Sequence, residues 1–392
     1  MKNIYLAYII PKSFSGQSAA TELIIKGLSP NGYVFKILPL YAVERSGRNK
    51  LFAFINLIIK SFQIVPVLFE LLKDSKPVLY INLGQGYASF ARVLWWYSPI
   101  RFFKKNLVSV ISLHGSSFMN HKISNNITKL FVHILKTAEI VTVLGQKQKQ
   151  KLESFGIQSD KILIIRNACE IDVMPLSNKL AKQRLESNQT VNLLYLSLLV
   201  ESKGFIEYLE AIESLALSET PKRIKAVLCG PIVRTTFCSR FTSKQAMKTW
   251  IEKKIDAINS ISIENVNVEW INGAKGDEKS LLFNEAHIFV FPTYYPNEAQ
   301  PLVLLEALSA GCAIITSKIG EIPSTLNDQV AILLDEVNTN SVCDSIKKYI
   351  SDDLLRIDSV NNGHNLLIES LSMEKYIKNW MSIFEQLINS KS

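Results

Sequence analysis

Along the first 170 positions, short blocks of β-branched and other apolar residues alternate with stretches whose apolar positions recur every three to four residues. KNIYLAYII, YVFKILPL, PVLYINL, LVSVISLH, AEIVTVL and DKILIIRN have the length and composition of buried strands, and helical periodicity falls between most of them. Such alternation implies right-handed crossovers and a parallel sheet covered on both faces. After a polar connector at 176–190 the pattern restarts with VNLLYLSLL, IKAVLCG, VNVEWING, HIFVFP and CAIITS. The pattern predicts an α/β chain of two doubly wound, Rossmann-like domains, residues 1–175 and 176–372. The final helical pattern, within 373–392, follows the completed second sheet and is expected to cross back to the first domain. Ligands bind off the carboxyl ends of strands in open α/β sheets, so the expected site is a central cleft that the two domains face.

One segment, LFAFINLIIKSFQIVPVLFELL at 51–72, is long enough to cross a bilayer. Asn56, Lys60, Gln63 and Glu70 fall on one helical stripe, with Leu51, Ile55, Ile58, Phe62, Val65, Phe69 and Leu72 on the other side. That phase predicts a mostly buried helix, broken at Pro66. The opening run MKNIYLAYIIPKSFSG has one lysine before a short apolar stretch and no small-residue cleavage site, which favours a first strand over a signal peptide.

With 47% hydrophobic residues and 392 positions the chain has core material for two domains. Its five cysteines form no CxxC pair and have no histidine at zinc spacing, which fits a reducing cytosol without disulfide framework or metal site. Charge is distributed unevenly. Residues 1–170 hold 22 Lys and Arg against 8 Asp and Glu, and the remainder 22 against 27, so the halves carry +14 and −5 within a total of +9. A basic half beside an acidic one points to an anionic partner for the first domain or to a solvated lysine-rich surface. No nucleic-acid module accompanies the charge, and nucleic-acid binding is the least supported reading.

The stretch PNEAQPLVLLEALSAGC, 296–312, carries the most specific chemistry. HIFVFP before it reads as a buried strand, TYYPNEAQ as the loop off its carboxyl end, and Pro301 suits the first turn of the following helix, whose free N–H groups favour an anion. Glu306 shares its face with Leu302, Val303, Ser309 and Ala310, so its carboxylate needs hydrogen-bond donors. Sugar hydroxyls would serve; partial exposure or a lysine partner are the alternatives. Lys203 stands at a strand-to-helix corner where an ammonium reaches a diphosphate, and Gly16 at a helix mouth where backbone can approach phosphate, although neither corner is a GxGxxG. His114, before Gly115, ends a buried strand and should face the cleft, although a lone strand-end histidine is more often structural than catalytic.

In this order, YLSLLVESKG, GPI and IFVFPTYYPNEAQPLVLLEALSAGCAIITSKIGEIP resemble the retaining glycosyltransferases of the GT-B fold, in particular glycosyltransferase family 4 as found in bacterial polysaccharide biosynthesis. The glutamate pair within E-x-x-P-L-V-L-L-E-A-x-x-x-G carries the resemblance, supported by Lys203 and by G-x-I-P at Gly320–Pro323. It extends over nearly the whole chain, through the Gly16 loop, His114–Gly115, RNACE and the last helix. The resemblance implies a nucleotide diphosphate sugar as donor, bound mainly by the second domain, and an acceptor bound mainly by the first. It implies that Glu306 holds the ribose, that Glu298 and the backbone of Ala299, Gln300, Pro301 and Leu302 contact the transferred sugar, and that Lys203 and the helix N-terminus stabilise the leaving diphosphate. Gly16 would approach the donor, and His114 would sit beside the sugar with a catalytic role. Metal-independent transfer with retention is implied, because no D-x-D occurs.

Two departures from the family pattern stand out. Leu198 occupies the place of a frequent arginine, and Ala299 and Gln300 replace a frequent glycine and phenylalanine. Weakened or altered donor binding is the expectation. In ARVLWWYSPIRFFKKN, Trp95, Trp96, Arg101, Lys104 and Lys105 suit a lipid headgroup interface, or else a core helix with cations at its end. With the +14 half, the first reading favours a lipid-linked saccharide acceptor and a peripheral position on the inner face of the cell membrane, in capsule, O-antigen or exopolysaccharide assembly. A nucleotide-sugar epimerase of the same architecture and a non-catalytic binding subunit are the alternatives to a hexosyltransferase.

Overall fold

The computed structural model describes residues 2–9, 16–40, 62–85, 87–169, 173–185, 189–218, 222–261 and 265–390. Packing divides the chain into two units, Met1–Ala168 joined by Met373–Ser392, and Cys169–Ser372.

The first unit's sheet contains β1 (Lys2–Ile9), β2 (Tyr33–Leu40), β3 (Val78–Asn82), β4 (Val108–Ser112), β5 (Ile140–Val143) and β6 (Ile162–Ile164). Every residue of β3, β4 and β5 is buried, as a parallel sheet covered on both faces requires. The strand order is β2-β1-β3-β4-β5-β6, all pairs parallel. Its helices are α1 (Gly16–Leu28), α2 (Val65–Lys73), α3 (Tyr87–Phe103), α4 (Asn126–Thr137) and α5 (Gln146–Ser154). Asn125 caps α4 by accepting from the Ile127 N–H.

Pro66 lies in the first turn of α2, where the missing N–H costs nothing. Leu71 is the residue buried, while Phe62, Phe69 and Leu72, expected on the inner side, are exposed; Phe69 is 60% accessible. Glu70 is held over β2 by Lys36, with Nζ 2.7 Å from Oε2. Residues 51–61 of the candidate membrane segment lie outside the described residues. Among the described residues no helix is long and apolar enough to cross a membrane.

The second unit holds β7 (Val191–Leu196), β8 (Ile224–Cys229), β9 (Val266–Ile271), β10 (Ile288–Phe291), β11 (Ala313–Ser317) and β12 (Ala331–Leu334), in the order β12-β11-β10-β7-β8-β9. Its helices are α6 (Leu176–Gln183), α7 (Phe205–Ala216), α8 (Lys244–Ile261), α9 (Gly276–Glu285), α10 (Leu302–Ser309), α11 (Ile322–Thr325), α12 (Thr339–Ser351) and α13 (Asp353–Leu366). Buried Arg356 ties α13 to α6, donating from Nε to Gln183 Oε1 at 2.9 Å and from Nη2 to the Gln183 carbonyl at 2.8 Å.

The final helix, α14 (Met373–Asn389), belongs to the first unit. Its apolar stripe of Tyr376, Trp380, Ile383, Phe384 and Leu387 is buried with Leu23, Ile24 and Leu28 of α1. Gly27 lets the two helices approach, since a Cβ there would lie 2.4 Å from Ile377. Trp380 is fully buried with its ring edge-on to Tyr80 at 5.3 Å, and truncating such a side chain costs about 3–5 kcal/mol.

Candidate functional site

Each sheet has one point at which successive connections diverge to opposite sides, and ligands of open α/β sheets bind off the strand ends there. In the second unit it lies between the paired strands β7 and β10. After β7 the chain makes a tight turn at Glu201–Lys203 and reaches Gly204, whose φ of +84° is left-handed. A Cβ at Gly204 would fall 2.1 Å from the Pro292 carbonyl oxygen, so glycine is what lets this corner lie against the end of β10. Tyr294 N–H then donates to the Ser202 carbonyl at 2.8 Å, and the Tyr195 hydroxyl to the Lys203 carbonyl at 3.1 Å.

The corner brings Lys203 to Glu298, with Nζ 3.3 Å from Oε2 and both side chains mostly shielded from solvent. The same carboxylate oxygen accepts from Thr293 Oγ1 at 3.3 Å, and the ammonium lies 5.5 Å from the ring centres of both Phe291 and Tyr295. A shielded cation held by one carboxylate and two aromatic faces is available to an anion that displaces the carboxylate. Behind the loop, Gly320 at φ +56° packs on the Glu298 carbonyl, where a Cβ would come within 2.2 Å, and the Glu321 N–H donates to the Ala299 carbonyl at 3.0 Å. Ala299 and Gln300 are buried by this packing. Pro301 is the N-cap of α10, and Leu302 begins the helix. The expected site residues 298–302 therefore form one braced loop leading into a helix N-terminus.

Glu306, one turn into α10, pairs with a lysine, one of the alternatives open in the sequence. Lys279 of α9 places Nζ 2.5 Å from Oε1, whereas Oε2 is buried and accepts no hydrogen bond among the described residues. Leu198, where an arginine was expected from the family pattern, is exposed and contributes no charge.

In the first unit Gly16 opens α1, and the loop before it, residues 10–15, lies outside the described residues. His114 follows β4 in a network of neutral groups. Its Nε2 lies 3.0 Å from Ser112 Oγ and 3.4 Å from the Tyr80 hydroxyl. Thr142 donates to Ser112 at 2.8 Å, and Asn82 donates to Thr21 at 2.6 Å, beside Tyr80. Burial pushes the imidazole down to about 4, against an opposing hydrogen-bond interaction in which it would donate to Asn167, so it is neutral at physiological pH. The next carbonyl, that of Gly115, accepts from both Gln85 at 2.7 Å and Gln148 at 2.9 Å.

The aromatic and basic run on α3 divides. Trp96 is 2% exposed and packed in the core, whereas Trp95 is 48% exposed. Arg101 is not a free surface cation: Nη2 pairs with Glu139 at 2.5 Å and Nη1 donates to the Leu107 carbonyl. Lys104 donates to the Leu72 carbonyl at 2.8 Å, which joins the ends of α2 and α3. Beyond them Phe102 and Phe103 are 75% and 77% exposed, next to exposed Lys105. The core-helix alternative therefore holds for Trp96 and Arg101, while the end of α3 is an open aromatic and basic surface. Lys279, Thr293, Gln85 and Gln148 had no signal in the sequence, since each acts across elements distant along the chain.

Residues 177–366 match the family model of glycosyl transferases group 1. The chain is 21% identical over 220 residues to O-antigen chain mannosyltransferase B of Escherichia coli, covering 55% of this chain and 52% of that protein. It is 21% identical over 266 residues to an uncharacterized glycosyltransferase of Methanocaldococcus jannaschii, covering 65% and 62%. These matches thus span about half to three-fifths of the curated relatives. A solved structure of HepE from Anabaena in complex with UDP superposes with a TM-score of 0.67 at 14% identity, over 98% of this chain and 100% of that one. Sucrose-phosphate synthase from Thermosynechococcus elongatus gives 0.69 at 14% identity over the full length of both. Two six-stranded parallel sheets with flanking helices, matched over this length, make the fold GT-B, and the family match supports a glycosyltransferase.

Proposed function

We propose that the protein transfers a sugar from a nucleotide diphosphate sugar to an acceptor, with the donor held at the carboxyl edge of β7 and β10. The meeting of Lys203, Glu298 and the α10 N-terminus at the point where the second sheet's connections diverge carries this reading. A diphosphate would take Lys203 and the free N–H groups of α10, and sugar hydroxyls would donate to the released Glu298 carboxylate. UDP is the first nucleotide to test, because the HepE structures contain UDP and UDP-glucose.

In the chemistry we assign, the bond between the sugar's anomeric carbon and the phosphate oxygen breaks with its electron pair leaving on that oxygen. The acceptor hydroxyl oxygen then bonds to the anomeric carbon from the same face, and its proton passes to the leaving phosphate, giving retention as in family 4. Lys203 and the helix N-terminus offset the charge that develops on the leaving group, so the reading is metal-independent. Gly16 and His114 are the first unit's candidates for contact with the donor. A neutral His114 would serve as a hydrogen-bonding group and not as a proton carrier.

The acceptor in this reading is a lipid-linked saccharide of surface polysaccharide assembly, with the hexosyl group delivered at the inner face of a membrane. Exposed Trp95, Phe102, Phe103 and Lys105, with Lys104 beside them, form a surface suited to anionic headgroups. The test is incubation of the protein with radiolabelled UDP-sugars, 5 mM EDTA being about enough to strip adventitious metal, and a membrane lipid extract. Label entering the organic phase is expected. Conversion of free nucleotide sugar without transfer would give an epimerase, and no change in either would give a binding subunit.

A further inference from the structure

Lys279 is a feature that the motif does not contain. It lies on α9, 27 residues before Glu306, and is within electrostatic reach of Cys229 at the end of β8, where burial pushes the thiol up to about 11. Its side chain is 25% exposed and that of Glu306 12%. At that burial the pair is more than a solvated surface bridge. The arrangement is also one-sided. Oε1 is occupied by the ammonium, and Oε2 is shielded from solvent with no donor among the described residues. An acceptor left in that state is destabilising, more so for a charged group, and a ligand that brings a hydroxyl donor relieves it.

We propose that Lys279 is a positioning residue for nucleoside recognition, holding Glu306 by one oxygen so that the other accepts from the ribose and selects ribonucleotides over 2′-deoxyribonucleotides. The proposal rests on the donor-binding reading above. Without the ammonium, the carboxylate would be free to rotate and would present no fixed acceptor. A site organised to hydrogen-bond a hydroxyl discriminates strongly against an analogue lacking it, because its own polar atom is then left unpaired. The selectivity therefore depends on how firmly that atom is held, which is the part assigned to Lys279. Diphosphate contacts belong to Lys203 and the start of α10 and do not pass through this pair.

The experiment is calorimetric titration of the full-length chain with UDP, 2′-deoxy-UDP and pyrophosphate. Lys279→Met is expected to weaken UDP binding about tenfold, to bring the ratio of UDP to 2′-deoxy-UDP affinity near one, and to leave pyrophosphate binding unchanged. Lys279→Arg is expected to restore the ratio. Thermal melting of each variant separates this from general loss of structure, which would lower all three affinities together. If Lys279→Met keeps the wild-type ratio while Glu306→Ala loses it, the role of Lys279 is refuted and the ribose contact stands. If Glu306→Ala also keeps the ratio, or wild-type protein binds none of the three and neither GDP nor ADP, the donor-binding reading fails and this proposal with it.

Discussion

At the carboxyl edge of the second sheet the charged side chains come in opposed pairs, Lys203 with Glu298 and Lys279 with Glu306, whereas the first sheet's edge carries a neutral network of Thr142, Ser112, His114, Tyr80, Thr21 and Asn82. Both edges are formed by parallel sheets with polar groups at the strand ends, so the difference lies in what those groups can exchange. Lys203 can trade the Glu298 carboxylate for a phosphate, while Glu306, held by Lys279 through one oxygen, has the other to offer a hydroxyl. Hydroxyls and a neutral imidazole linked to one another have no charge to trade. They fix geometry. On the proposed reading the second unit recognises the anionic, hydroxyl-rich ligand, while the first unit's neutral network fixes its strand ends and offers His114 only as a hydrogen-bonding group.

The largest effect that could break this contrast is on turnover. Glu298→Gln and Lys203→Met should each lower kcat by about 10²–10³, the usual consequence of deleting one group that meets developing charge, while Ser112→Ala in the neutral network should lower it by less than about tenfold. Measuring kcat and KM for the three variants with one UDP-sugar decides it. A larger loss from Ser112→Ala than from Glu298→Gln would reverse the assignment of the two edges.

A smaller effect concerns the outer face of the first unit. Phe102→Ser with Phe103→Ser, combined with Lys104→Glu and Lys105→Glu, should reduce co-sedimentation with anionic vesicles severalfold at low salt and leave UDP binding unchanged. Each basic residue near such a surface contributes about 1 kcal/mol, screened within about 8 Å at physiological ionic strength. Trp95→Ser should have a weaker effect of the same kind. Trp96→Ser should instead lower the melting temperature, because that ring is in the core. If wild-type protein ignores anionic vesicles at low salt, the membrane reading is lost and a soluble acceptor replaces it.

The architecture was legible because β3, β4 and β5 are short apolar runs with no polar face, and a chain that repeats such runs between amphipathic stretches can bury them only in parallel sheets. Phase across a proline was not legible. The stripe drawn through 51–72 carried one helical phase across Pro66, whereas in α2 Leu71 is the buried residue and Phe69 and Leu72 face outward. At the candidate site, local spacing located the loop 298–302 and the start of α10, because Pro301 and the free N–H groups that follow are properties of adjacent residues. Lys279 was not readable, since its relation to Glu306 depends on how α9 and α10 pack. The same holds for Gln85 and Gln148, which meet at the Gly115 carbonyl from positions 30 and 33 residues away.

The account's central claim is that the second unit's sheet edge is a nucleotide diphosphate site, and direct titration of the full chain with UDP, GDP and ADP tests it. One of the three should bind wild-type protein, with affinity reduced about tenfold or more in Glu306→Ala and in Lys203→Met while both variants keep wild-type melting without ligand. Binding that is equally tight in wild type and in both variants would contradict the claim, as would the absence of binding by all three nucleotides.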